Sequence, residues 1–298
     1  MRRSAKRRRK MYDYLISPFI EFEFMRRALV GAFALALGGA PIGVFLMLRR
    51  MSLTGDAMAH AILPGAAVGF LFAGLNLFAM TAGGIVAGVT VAVGAGLIAR
   101  STGMKEDASL AAFYLVSLAL GVLIVSLRGS NIDLLHVLFG TVLALDDATL
   151  LLLAAIATIS LLALALIWRP LVLECVDPNF LRSVSRSGAP THLVFLALMV
   201  LNLVGGFHAL GTLLAVGIMM LPAAAARFWV KELTAMIVLA IVLAILSGYL
   251  GLLLSYHSGA AAGPAIILVA GILYAGSVLF GPVGGLKRHF IPVRHLEA

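Results

Sequence analysis

Residues 148–168 read ATLLLLAAIATISLLALALIW, a run without one ionisable side chain. At 1.5 Å of rise per residue these roughly 21 positions span ~31 Å as a helix, which matches the hydrocarbon core of a bilayer. No water reaches a backbone amide there. A crossing segment must therefore bond its own backbone as a helix, or close into a barrel. Barrel strands alternate in polarity over roughly 10 residues, whereas this run is apolar throughout. It reads as a membrane-spanning helix.

The same pattern recurs along the chain, at about 26–48, 58–75, 78–99, 109–127, 148–168, 191–207, 209–226, 234–254 and 264–282. The breaks are polar or rich in Gly and Pro. The stretch 191–226 is barely interrupted and reads as one long helix broken at Gly205-Gly206, or as two. The expected fold is an all-α integral membrane bundle of about eight or nine transmembrane helices. Composition agrees. The chain is 62% hydrophobic and only 12% charged, against about a quarter charged in soluble domains. Residues 25–285 form one membrane domain, preceded by a basic tail and short lead-in (1–24) and followed by a tail (286–298). Gly39/Gly43, Gly65/Gly69 and Gly84/Gly88 have the small-xxx-small spacing that lets helices approach closely in lipid. The single Cys175 excludes an internal disulfide.

The net charge of +9 does not point to nucleic acid, because the basic residues sit at the ends of apolar runs rather than on one folded face. If nine spans alternate, Arg49-Arg50, Arg100 with Lys105, Arg182 with Arg186, Arg227 with Lys231, and Lys287-Arg288 share one side. That side is the cytoplasm by the positive-inside rule. The other side carries Arg128 and His257. One conflict remains: the opening MRRSAKRRRK then lies outside. Either a short segment near Tyr14–Phe24 brings the chain back, or one span is re-entrant. The tail itself reads as held by anionic lipid.

Ionisable residues inside a span are costly and point to function. The most informative stretch is RRMSLTGDAMAHAILP, residues 49–64. Asp56 and His60 are four apart, one helical turn, on one face. They offer one oxygen and one nitrogen to a borderline divalent cation. Equally, Asp56 is a carboxylate favoured near a helix N-terminus with His60 bonded to it. Pro64 follows and loosens the helix.

This stretch, with Pro-Gly-Ala-Ala-Val-Gly after it, resembles the signature of the zinc/manganese permease family of ABC transporters. Leu138-Phe-Gly140, Gly211-Thr-Leu-Leu with Met-Leu-Pro-Ala-Ala-Ala-Ala-Arg227, and Ala262-Gly-Pro264 agree with that family in order and spacing. The resemblance covers roughly residues 25–285. It implies a type II importer-like permease in a bacterial inner membrane. Its partners would be a second copy of itself, two cytoplasmic ATP-binding subunits and an extracytoplasmic metal-binding protein. It further implies that Asp56 and His60 line the path, and that the helix holding Pro222 lines the pore. There is one departure: family members often carry an acidic residue before the last helix, where this chain has Tyr256-His-Ser-Gly259.

The longest polar interruption is DPNFLRSVSRSG, residues 177–188. Asp177 can cap a helix that starts at Pro178, and Gly188 can end it. By resemblance this is the coupling helix that seats in an ATPase, with Asp177, Pro178, Phe180, Val184 and Gly188 as its named positions. Asp133 and His136, three apart, form an outer vestibule site or cap a re-entrant helix. His208 follows a helix break, where transporters place ion sites, or is an interfacial histidine. Glu106 with Asp107, and Asp146 with Asp147, read as helix-start carboxylates.

No phosphate-binding loop and no His-Glu-x-x-His motif is present, so ATP hydrolysis and zinc proteolysis do not belong to this chain. The expected function is a transport subunit, not an enzyme, with no resident cofactor and a divalent metal as cargo. Histidines 60, 136 and 208 lean toward zinc over manganese, since imidazole suits zinc. The alternatives are a manganese or iron permease of the same family, or an ion-coupled secondary transporter acting alone.

Overall fold

The computed structural model describes residues 14–286 apart from 75, 103–105, 128–144, 178, 179, 182, 184 and 186. The side chains of 99, 100, 106, 107, 125–127 and 208 are not described either. Asp133, His136, Pro178 and Val184 thus lie outside the described residues, and so does the side chain of His208.

The described chain is helical, with no strand among its residues. A short helix α1 (Ser17–Glu21) precedes α2 (Glu23–Leu48), α3 (Thr54–Ala61), α4 (Leu63–Ala73), α5 (Leu77–Thr102) and α6 (Glu106–Leu127). Then follow α7 (Asp147–Val176), α8 (Gly188–Leu210), α9 (Thr212–Ala226), α10 (Leu233–Ser258) and α11 (Ala262–Phe280). With α3 and α4 taken together, seven helices among the described residues are long and apolar enough to cross a bilayer, and Ala108–Ile124 and Thr212–Ala226 are shorter apolar helices.

Two helices form the interior: α2 and α8 are 78% and 72% buried over their apolar windows, whereas α5, α7 and α11 are each 28% buried. The second group keeps its apolar side chains outward, as a lipid solvent allows. The α2–α8 pair runs antiparallel. Neighbours along it are Leu35 with Gly206, Gly38 with Asn202, Phe45 with Phe195, and Arg49 with His192. Near mid-depth, buried Asn202 donates to Ser160 Oγ (2.6 Å) and to the Leu198 carbonyl (2.9 Å), which satisfies a polar group that hydrocarbon would otherwise strand.

The helix break in the 191–226 region is not where the glycine pair sits. α8 runs unbroken through Gly205-Gly206, and the chain turns at Gly211, whose φ of 89° suits glycine. Gly205 and Gly206 serve packing instead: a Cβ on Gly206 would press the Ala215 methyl at 2.6 Å.

The short lead-in does not return the N-terminus. α1 has five residues, about 8 Å of helix, and crosses nothing. It packs beside the end of α10, where Tyr249 donates to the Leu15 carbonyl (2.9 Å) and Phe19 stacks on Tyr249. The α3–α4 segment does not turn back either. Ile62, Gly65 and Gly69 pass Gly84, Gly83 and Ala79 in turn, antiparallel to α5. The lead-in therefore lies at the end of the bundle opposite Arg49.

Candidate functional site

α3 starts with no side-chain cap, and Asp56 stands in its first turn, where the helix dipole favours a carboxylate. Asp56 is exposed and His60 half-buried. The helix stops at Ala61 and resumes at Leu63, with Pro64 in the first turn of α4. Pro64 has no N–H to return to the preceding turn. Ser117 of α6 donates to the Ala61 carbonyl at 2.8 Å, which satisfies an acceptor beside the break.

Asp56 lines a pocket of about 210 Å³ between α3 and α6, with Leu53, Thr54, Ala57, Leu110, Ala111 and Tyr114. His60 sits one turn deeper, its ring centroid 6.5 Å from that of Tyr114. The His60 Nδ1 atom is buried and has no hydrogen-bond partner among the described residues. Buried polar atoms are normally paired, so this one is available. A reading in which His60 is merely bonded to Asp56 through Nδ1 does not describe the geometry. The site lies toward the basic end. A Cβ on Gly55 would sit 3.0 Å from Met219 Cε, and Met219 is eight residues, ~12 Å of helix, before Arg227.

Among the described residues no group of three or more His, Cys, Asp or Glu side chains could hold a metal. Pro222 is buried inside α9.

The 177–188 segment keeps its N-terminal cap: Asp177 Oδ1 accepts from the Phe180 amide at 2.9 Å. Phe180 is 52% exposed and Leu181 is buried. Gly188, however, does not end this segment. It is the first residue of α8, where a Cβ would merely touch Leu181. His257, at the departure before the last helix, is engaged by the lead-in. Its ring stacks on Tyr14 at 3.8 Å, and its Nε2 is 3.1 Å from the Tyr14 carbonyl. Residue-by-residue reading missed Tyr114, and it missed Glu174 with His192, which meet Arg49. The latter two sit within a turn or two of a polar loop, so nothing in the sequence marked them as buried.

Residues 21–281 match the ABC 3 transport family. The chain belongs to that family. This ABC 3 member is 32% identical over 279 residues to the manganese import system permease protein ScaB of Streptococcus parasanguinis, covering 92% of this chain and 98% of that one. It is 29% identical to a probable iron transport system membrane protein of Haemophilus influenzae, covering 92% and 99%. Among solved structures, PsaBC from Streptococcus pneumoniae in complex with Fab matches with a TM-score of 0.81 at 28% identity, over 93% of this chain and 99% of that one. A metal-chelate type ABC transporter in an inward-facing conformation shares the fold alone, with a TM-score of 0.63 at 16% identity over 85% of this chain. The ABC 3 member is a multi-pass cell-membrane protein with the fold of an ABC importer permease.

Proposed function

We propose that this ABC 3 chain is the membrane permease of an ATP-driven importer of manganese or iron, with Asp56 and His60 as transient ligands to the passing ion. The observation that carries the reading is the orphaned His60 Nδ1, one turn from a carboxylate that lines an open pocket, in a chain related to manganese and iron permeases. Two ligands hold a cation weakly enough to release it, whereas a full cage would trap it. A second copy facing the first would bring the same pair from its own side. ATP hydrolysis belongs to partner subunits, for which the 177–188 segment with exposed Phe180 is the docking element. An extracytoplasmic metal-binding protein would deliver the ion at the opposite end.

The lean toward zinc has no support. It rested on three histidines, two of which lie outside the described side chains, and the relatives are manganese and iron permeases. A mixed carboxylate–imidazole pair suits manganese or iron(II) at least as well. The test is metal uptake by the assembled transporter in proteoliposomes, compared across manganese, iron(II) and zinc. Asp56→Ala and His60→Ala each lower uptake by more than about tenfold, since even outer-shell losses cost 10–100-fold, while the complex still assembles. Full uptake by both variants removes the pair from the path.

A further inference from the structure

Arg49, Glu174 and His192 come from three helices and meet inside the protein. Arg49 follows α2 as its C-cap, Glu174 lies in the last turn of α7, and His192 lies in the second turn of α8. The Arg49 and Glu174 side chains are each 10% exposed and that of His192 is 3%. One guanidinium nitrogen, Nη2, donates to Glu174 Oε1 at 3.3 Å and to His192 Nδ1 at 2.5 Å. The guanidinium also lies 5.2 Å from the Phe195 ring centroid. Arginine only donates, so His192 Nδ1 must be the acceptor. The 3.8 Å approach of that nitrogen to Glu174 is then not an ion pair.

Two features separate this cluster from an ordinary packing contact. Among the described residues, Arg49 Nη1 and Glu174 Oε2 are buried without a hydrogen-bond partner. A network built for stability would not leave a buried donor and a buried acceptor idle. The cluster also joins the two moving parts that the import reading requires. Glu174 and His192 bracket the 177–188 segment on either side. Arg49 begins the turn that leads through Arg50 to Thr54 and the helix of Asp56 and His60. That turn is held taut: Arg50 has φ 60°, a left-handed conformation that a non-glycine residue rarely adopts. Its amide and that of Met51 bond back to the Met47 and Leu46 carbonyls.

We propose that Arg49, Glu174 and His192 form a positioning clasp that transmits displacement of the 177–188 segment to the helix bearing Asp56 and His60. The inference rests on the import reading above. When the ends of α7 and α8 shift, Arg49 loses or exchanges acceptors, and the α2–α3 turn follows. The idle Nη1 and Oε2 are the groups that a second arrangement pairs. The clasp then has two hydrogen-bonded settings, as a switching element needs.

The test is the ratio of metal imported to ATP hydrolysed, measured on the complete transporter in proteoliposomes for wild type, Glu174→Gln, His192→Phe and His192→Asn. Glu174→Gln and His192→Phe lower the ratio about tenfold, within the 5–150-fold range of site-to-site coupling, with complex yield and ATP hydrolysis retained. His192→Asn, which keeps an acceptor near the Nδ1 position, restores the ratio. An unchanged ratio in Glu174→Gln and His192→Phe overturns the clasp. So does a parallel fall of yield, hydrolysis and uptake, which marks a purely structural cluster. A wild-type complex that imports no metal overturns the import reading instead.

Discussion

Gly43 of α2 faces the backbone carbonyl of Met219 on α9 so closely that a Cβ at position 43 would collide with that oxygen. The obstacle is backbone, which cannot rotate aside as a side-chain tip can. The same Met219 approaches Gly55 of α3, the neighbour of Asp56, through its terminal methyl.

Gly43→Ala should therefore force α2 and α9 apart. Overpacking of a filled interior costs about 1–3 kcal/mol, and here the cost lies at the upper end because no rotamer relieves it. Gly276, which has nothing within 4 Å of a built Cβ, is the control. Thermal unfolding in detergent should show a lowered midpoint for Gly43→Ala and an unchanged or raised one for Gly276→Ala. Equal midpoints would mean that α2 and α9 do not touch as described.

Asp146 caps α7 by accepting from the Thr149 amide at 2.9 Å. The Thr149 hydroxyl and amide hold its carboxyl below the ordinary value of 3.8. A depressed pKa means that the folded state favours the ionised form. The contribution is complete above the unfolded value and is lost as pH falls through the lowered folded value. Asp146→Asn keeps a capping oxygen and should flatten that acid-side loss, whereas Asp146→Ala should cost about 1 kcal/mol near neutral pH, as for other caps. Helicity of the protein in micelles, followed from neutral pH to below 3.8, distinguishes the three. A wild-type acid limb matched by the Asn variant would show that the cap carboxylate carries none of it.

The order of the helices places Ser183 and Ser258 at opposite ends of the bundle, both exposed. In a Cys175→Ala background, a membrane-impermeant thiol reagent added to intact cells should label Ser258→Cys and spare Ser183→Cys. Inside-out vesicles should give the reverse. Labelling at Ser183→Cys from outside would invert the orientation, and with it the assignment of the 177–188 segment to the ATPase side.

How far the sequence reached varies by element. The nine apolar runs at 26–48 through 264–282 each became helix, because hydrocarbon leaves a backbone no other partner than itself. Pro64 marked the α3–α4 break for an equally local reason, a missing N–H. Gly205-Gly206 misled. Glycine in lipid marks close approach as readily as a turn, and only the presence of Ile156 and Ala215 against these positions decides which. Asp56 and His60 shared a face by spacing alone. Whether His60 Nδ1 was occupied could not be read from spacing, since that depends on what the helix carrying Tyr114 offers.

By itself the sequence determined the solvent of this protein, the order of its apolar helices, and the one-turn stack of Asp56 on His60. All of these follow from local backbone bonding and from transfer of side chains into lipid. Tertiary structure alone decided which charges meet. Arg49 lies 125 residues from Glu174 and 143 from His192, and each looks like an interfacial residue in its own segment. Only the packing of α2 against α7 and α8 removes water from all three at once, and in a low dielectric that makes their pairing matter.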